Sequence, residues 1–142
     1  VIAIDTNVLV YARREETEQH EAALEILRGL AEGDEPWALP WPCVYEYLRV
    51  VSHSLVFDPP TDPVQALEDV ESLMRSPSIV MLGEGPGHAG HMRRAILSGK
   101  TSGNMVFDAH IAALLLEHGV TTIVTADRDF SRFADLEVTD PF

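Results

Sequence analysis

Four acidic residues stand at the ends of predicted elements and are spread over nearly the whole chain: Asp5, Glu46, Asp108 and Asp127. Asp5 closes the apolar run Val1–Ile4, and two residues separate Asp127 from the β-branched run Thr121–Val124. Glu46 and Asp108 fall near the starts of helices. Carboxylates so distant in sequence meet only in a folded chain, and there they raise one another's pKa unless a cation joins them. A hard divalent cation, Mg²⁺ or Mn²⁺, removes that penalty, orients a phosphate and activates a water. The chemistry this predicts is in-line hydrolysis of a phosphodiester. Asn7, Thr125 and Asp129 stand close enough in sequence to orient the acids or their waters by hydrogen bonding.

Each acid alone has an ordinary alternative. Asp5 and Asp127 can cap helices, Asp108 can complement a helix dipole, and Glu46 can be a solvated helical position. The metal reading rests on all of them reaching one place, so the elements that position them matter. Val1–Ile4, Trp37–Leu39, Ser78–Leu82, Thr121–Val124 and Leu136–Val138 read as short strands. Helical spacing runs through Val8, Leu9 and Ala12. A second helix carries Ala23, Leu24, Leu27 and Leu30, with Thr17 as its cap. Pro42 suits the first turn of a helix bearing Val44, Leu48 and Val51, and Asp62-Pro63 opens another that runs to about Arg75. Gly83–Gly90 reads as a flexible connector and His91–Leu97 as helix. Asn104 is the expected cap of a helix whose inner face is Phe107, Ile111, Leu114 and Leu115, ended by a left-handed Gly119. Asp127–Phe133 reads as a short helix. Strands alternating with helices predict an α/β fold with a parallel sheet covered on both faces. The carboxyl edge of such a sheet is where ligands bind, and Asp5 and Asp127 belong there.

Composition sets the bounds. The 142 residues fit one domain, 1–142, and the 46% hydrophobic content excludes disorder. No apolar run reaches the ~18 residues needed to cross a membrane, and the opening reads as strand then helix rather than signal peptide. The single cysteine, Cys43, forbids an internal disulfide and fits a cytoplasmic setting; its apolar context predicts a buried small hydrophobe. Ten basic against 23 acidic residues give a net charge of −13, which excludes a general nucleic-acid coat protein but not an enzyme that meets nucleic acid through a metal and a few arginines. The six histidines come without a cysteine pair or a metalloprotease motif, so they read as surface or satisfied residues. His110, two residues after Asp108, belongs on another helix face. Trp37, Trp41, Tyr45 and Tyr47 read as core or dimer contacts.

Four stretches together resemble the PIN-domain ribonucleases, and within them the VapC-type toxins of bacterial toxin–antitoxin pairs. They are Ile4-Asp5-Thr6-Asn7-Val8-Leu9-Val10-Tyr11-Ala12, Pro40-Trp41-Pro42 leading to Glu46-Tyr47-Leu48-Arg49-Val50-Val51, Gly103-Asn104-Met105-Val106-Phe107-Asp108-Ala109-His110, and Thr125-Ala126-Asp127-Arg128-Asp129-Phe130. The resemblance implies a three-layer α/β/α fold with a central, mainly parallel sheet. It implies Mg²⁺- or Mn²⁺-dependent endonucleolytic cleavage of RNA, with Asp5, Glu46, Asp108 and Asp127 as metal-binding acids, Asp129 auxiliary, and Asn7 and Thr125 in support. It also implies a homodimer inhibited by a cognate antitoxin. RNA approaching so acidic a chain needs a local basic rim, for which Arg13, Arg14, Arg49, Arg93, Arg94, Lys100 and Arg128 are the candidates. The alternatives are a phosphate-ester phosphatase with Asp5 as nucleophile, where the second acid usually found two residues on is replaced by Asn7, and a non-catalytic module whose acids grip a basic partner.

Overall fold

The computed structural model describes residues 1–142. Five strands form one sheet: β1 (Ile2–Ile4), β2 (Trp37–Pro40), β3 (Ile79–Leu82), β4 (Thr122–Val124) and β5 (Glu137–Thr139). Their order is β3-β2-β1-β4-β5 and every pairing is parallel. The six helices are α1 (Thr6–Arg13), α2 (His20–Glu32), α3 (Trp41–Val51), α4 (Pro63–Met74), α5 (His88–Gly99) and α6 (Val106–Glu117). Helix α1 packs on α2 and α3, α3 on α4, and α5 along α6, giving the α/β/α layering. No helix is long and apolar enough to cross a membrane.

Position in the sheet explains strand composition. All four residues of β2 are buried, whereas the edge strand β5 leaves Glu137 and Thr139 in solvent. Leu39 and Ile123 are fully buried, each worth roughly 1.5–3 kcal/mol of transfer free energy. Trp37 is buried too, and its indole N–H donates to Ser78 Oγ at 3.2 Å, so its polar atom is satisfied inside the core. Tyr47 is likewise core, with its hydroxyl on Asp69, whereas Tyr45 is exposed.

Several boundaries differ from expectation for visible reasons. Thr17 does not cap α2: its hydroxyl donates to Arg14 O at 2.7 Å, which holds the preceding turn, and Gln19 occupies the cap position. Asn104 lies in a 3-10 turn (Gly103–Met105), and Met105 precedes α6. The stretch Gly83–Gly90 is not a free connector. Helix α5 already begins at His88, and Gly83, Gly85 and His88 are each tied to α6 or the residue after it. Asp127–Phe133 narrows to a 3-10 turn over Arg128–Arg132. By contrast, Asp62 caps α4 by accepting from the Val64 and Gln65 amides, and Gly119 takes φ +71° after α6.

Chain order reverses direction across β1, which has β2 on one side and β4 on the other. Such a switch point opens a crevice beyond the carboxyl ends of the strands. The register pairs Ile4 with Val124, so the residues that follow, Asp5 and Thr125, emerge side by side into that crevice.

Candidate active site

Asp5 is 5% exposed, and each of its oxygens has two donors. Oδ1 accepts from the Thr6 amide at 2.7 Å and from the Cys43 thiol at 3.7 Å. Oδ2 accepts from the Thr125 hydroxyl at 2.7 Å and from Asn7 Nδ2 at 3.3 Å. The first of these contacts also makes Asp5 the cap of α1, so capping and site roles coincide. Burial raises its pKa, and the Asp127 charge adds to that, while the Thr125 and Thr6 hydrogen bonds oppose it. The carboxylate is thus fixed in place, not solvated.

Thr125 is the hub of the support. It is fully buried, donates to Asp5, and receives Asn7 Nδ2 at 3.0 Å and the Asp127 amide at 2.9 Å. Asn7 Oδ1 in turn accepts from the Ala126 amide at 3.2 Å, which fixes which way its amide points. These bonds lock the end of β4 to the start of α1. Asp127 Oδ1 caps the following 3-10 turn by accepting from the Asp129 amide at 2.9 Å.

Asp108 enters from the first turn of α6. Carboxylate oxygens of Asp108, Asp127 and Asp129 lie within 4.8 Å of one another. Asp108 has its pKa pushed up to about 6, first by burial, then by the charges of Asp127, Asp5 and Asp129, with Arg132 opposing weakly. No lysine or arginine pairs with any of these four acids. Their donor set is all oxygen, which suits a hard cation such as Mg²⁺ or Mn²⁺. Cys43 supplies no soft ligand, because burial holds its thiol well above its ordinary pKa. It is also the buried small hydrophobe the sequence predicts.

A cavity of about 1080 Å³ opens over these residues. Asp5, Asn7, Glu46, Asp108 and Asp127 all line it. Glu46 stands on its wall from the second turn of α3, paired with Arg49. Of the seven basic residues considered for a rim, Arg49 is the one in this lining. Arg13 pairs with Asp69 at 3.3 Å on another cavity, and Arg14 pairs with Glu16 at 2.6 Å. Arg93, Arg94, Lys100 and Arg128 are exposed and free of ion pairs.

Sequence reasoning missed part of the lining. Trp41 and Tyr45 stack at 6.1 Å in the mouth, beside Phe107, which is 72% exposed. Glu84 and His110 stand there too, 2.8 Å apart, so the face of α6 that carries His110 also borders the cavity. Asn104, Phe107, Asp108 and His110 all reach the lining, so the opening turns of α6 contribute more than one helix face.

Comparison with known proteins concerns the chain as a whole. The PIN domain family model matches residues 2–136. The chain is 36% identical to ribonuclease VapC48 of Mycobacterium tuberculosis over 138 residues, covering 97% of this chain and 95% of that protein. It is also 36% identical to the VapC ribonuclease Mb2897 of Mycobacterium bovis over 141 residues, covering 99% and 95%. Among solved structures, VapC20 of Mycobacterium tuberculosis, described as a sarcin-ricin loop cleaving toxin, superposes with a TM-score of 0.66 at 14% identity over 92% of this chain and 93% of that one. VapBC-1 of nontypeable Haemophilus influenzae gives 0.67 at 17% identity over 99% and 97%. At those identities the superpositions speak to the fold.

Proposed function

From the premise that the chain belongs to the PIN-domain family, we propose that it is a metal-dependent endoribonuclease and the toxin of a type II toxin–antitoxin pair, working as a single domain over residues 1–142. The observation that carries this reading is the convergence of Asp5, Asp108, Asp127 and Asp129 at the carboxyl edge of the sheet with no basic partner among them. Uncompensated carboxylates at half-buried positions are costly, and a cation there relieves the cost. When bound, Mg²⁺ or Mn²⁺ would polarise a phosphate oxygen and lower the pKa of a water.

The protein's own groups supply position. Asp5, held by four donors, is the rigid member, and Asn7 and Thr125 keep it aligned with Asp127. Asp108 and Asp129 complete the oxygen set. Glu46 joins from α3 once Arg49 turns to a substrate phosphate, and the exposed faces of Tyr45 and Phe107 offer stacking surfaces for unpaired bases. Arg93, Arg94, Lys100 and Arg128 remain available for backbone contacts farther out, with Arg13 and Arg14 contributing only if their acidic partners release them. The phosphatase alternative usually wants a second acid two residues after the nucleophile, and here that position is Asn7, whose amide instead supports Asp5 and Thr125.

Several structural neighbours are toxin–antitoxin complexes, among them VapBC2 of Rickettsia felis bound to promoter DNA. This supports a cognate antitoxin as partner, and the ribonuclease relatives support an RNA substrate; a homodimer acting in the cytoplasm is part of the same proposal. Incubation of the purified chain with structured and single-stranded RNAs, with Mg²⁺, Mn²⁺ or EDTA, tests the catalytic reading. Cation-dependent internal cuts are expected. Intact RNA under every cation condition would overturn it.

A further inference from the structure

Glu84, His88 and His110 form a second group of metal-competent side chains, separate in chemistry from the acid cluster. One ligand atom from each lies within 4.8 Å of the others. They come from three places: Glu84 from the segment after β3, His88 from the first residue of α5, and His110 from α6. His110 Nε2 and Glu84 Oε1 are 2.8 Å apart, and the two imidazole rings sit 5.4 Å apart at 65°. Glu84 and His110 also stand on the wall of the acid cavity.

The surroundings are organised. His88 Nδ1 is 3.0 Å from Glu117 Oε2, and the other Glu117 oxygen accepts from the Gly85 amide at 2.8 Å. The Glu117 and His88 side chains are 9% and 19% exposed, so the pair is partly sheltered. A carboxylate on one imidazole nitrogen fixes ring orientation and tautomer and leaves the other nitrogen for a cation. His118 Nε2 at 2.8 Å from Gly83 O pins the segment that carries Glu84. Two imidazoles with one carboxylate, and room for solvent at the exposed Glu84 end, is a donor set for a borderline cation, not for Mg²⁺.

We propose that Glu84, His88 and His110 bind a Zn²⁺-class divalent cation at the rim of the acid cavity, with Glu117 as the positioning residue for His88. The cation takes the place of the direct Glu84–His110 contact at 2.8 Å. It adds positive charge to a lining whose one basic side chain, Arg49, is already neutralised by Glu46. It also clips the segment after β3 to α5 and α6. Cation binding here does not depend on whether the acid cluster cuts RNA.

The test uses tag-free, metal-free full chain carrying Asp108→Asn and Asp127→Asn, which disables the oxygen site. Titration with Zn²⁺ in a calorimeter should give one equivalent. Titration with Co²⁺ should give the visible absorption of a nitrogen-ligated ion. Adding Glu84→Gln, an exposed change that disturbs no core contact, should weaken binding about tenfold or more. Adding Glu117→Gln should weaken it by about 10–100-fold, as loss of a carboxylate behind a ligating histidine does. Adding His88→Ala should abolish it. Thermal unfolding of each metal-free variant checks that it is folded. A parent that takes up no Zn²⁺, or Zn²⁺ binding of equal affinity after Glu84→Gln and His110→Ala, would overturn the proposal.

Discussion

Asp69 and Asp108 are both partly buried acids on cavity walls, yet they are treated oppositely by the fold. Asp69, on the 390 Å³ cavity between α1, α2, α3 and α4, accepts from the Tyr47 hydroxyl at 2.8 Å and pairs with Arg13 at 3.3 Å. Asp108 has no donor from any protein group, and the charges that act on it most strongly are those of three more acids. One carboxylate is neutralised by the chain; the other is left for something the chain does not contain. Burial and acidity are shared by the two and do not distinguish a structural acid from a functional one. The partner set does.

Replacing the acids separates the two most widely. Asp127→Asn or Asp108→Asn should lower single-turnover cleavage of RNA by about 10²–10³-fold, the scale of losing a transition-state charge contact. Asp69→Asn should leave the rate within about twofold, because nothing on its cavity belongs to the proposed chemistry. A comparable loss in all three variants would break the distinction.

That distinction was only partly legible in the sequence. Asp5 and Thr125 could be placed because β-branched runs mark β1 and β4, and a strand end projects its next residue into the crevice. The pairing of Asp5 with the Cys43 thiol could not, since it depends on how α3 settles against α1. Nor could the neutralisation of Asp69 by Tyr47 and Arg13, 22 and 56 residues away. Spacing puts His110 on a different face of α6 from Asp108, but it does not reveal that both faces border one cavity. Thr17 has the residue type of a cap, but its hydroxyl serves the Arg14 carbonyl, a local choice that residue type does not reveal.

Stability should respond in the opposite order from activity. Asp69→Ala leaves the Tyr47 hydroxyl without its acceptor in a cavity wall and costs about 1–3 kcal/mol, read from the denaturant midpoint. Asp108→Asn should instead stabilise the cation-free protein at pH 7. With a folded pKa of about 6 against an ordinary 3.8, Asp108 binds its proton more tightly folded than unfolded. Its favourable contribution is therefore complete below the ordinary value and lost as pH rises through about 6. Discounted for its partial exposure, the gain at pH 7 is on the order of 1 kcal/mol, or a few degrees in Tm. Added Mg²⁺ should raise the Tm of the parent and not that of Asp108→Asn. Equal shifts in both would place the cation elsewhere.

Arg49 and Glu46 are the intermediate case, an acid of the cavity that the chain does neutralise, but only with an exposed partner. Such a pair contributes about 0–1 kcal/mol to stability, so Arg49→Ala should barely move the Tm. If the pair is a resting state that opens for substrate, the change appears in RNA binding instead. One phosphate contact fewer lowers the salt slope of single-strand affinity by about 0.7. It should also weaken binding uniformly across RNA sequences, since a phosphate carries no base identity. An unchanged salt slope would return Arg49 to the class of Arg13, a residue that neutralises an acid and does nothing further.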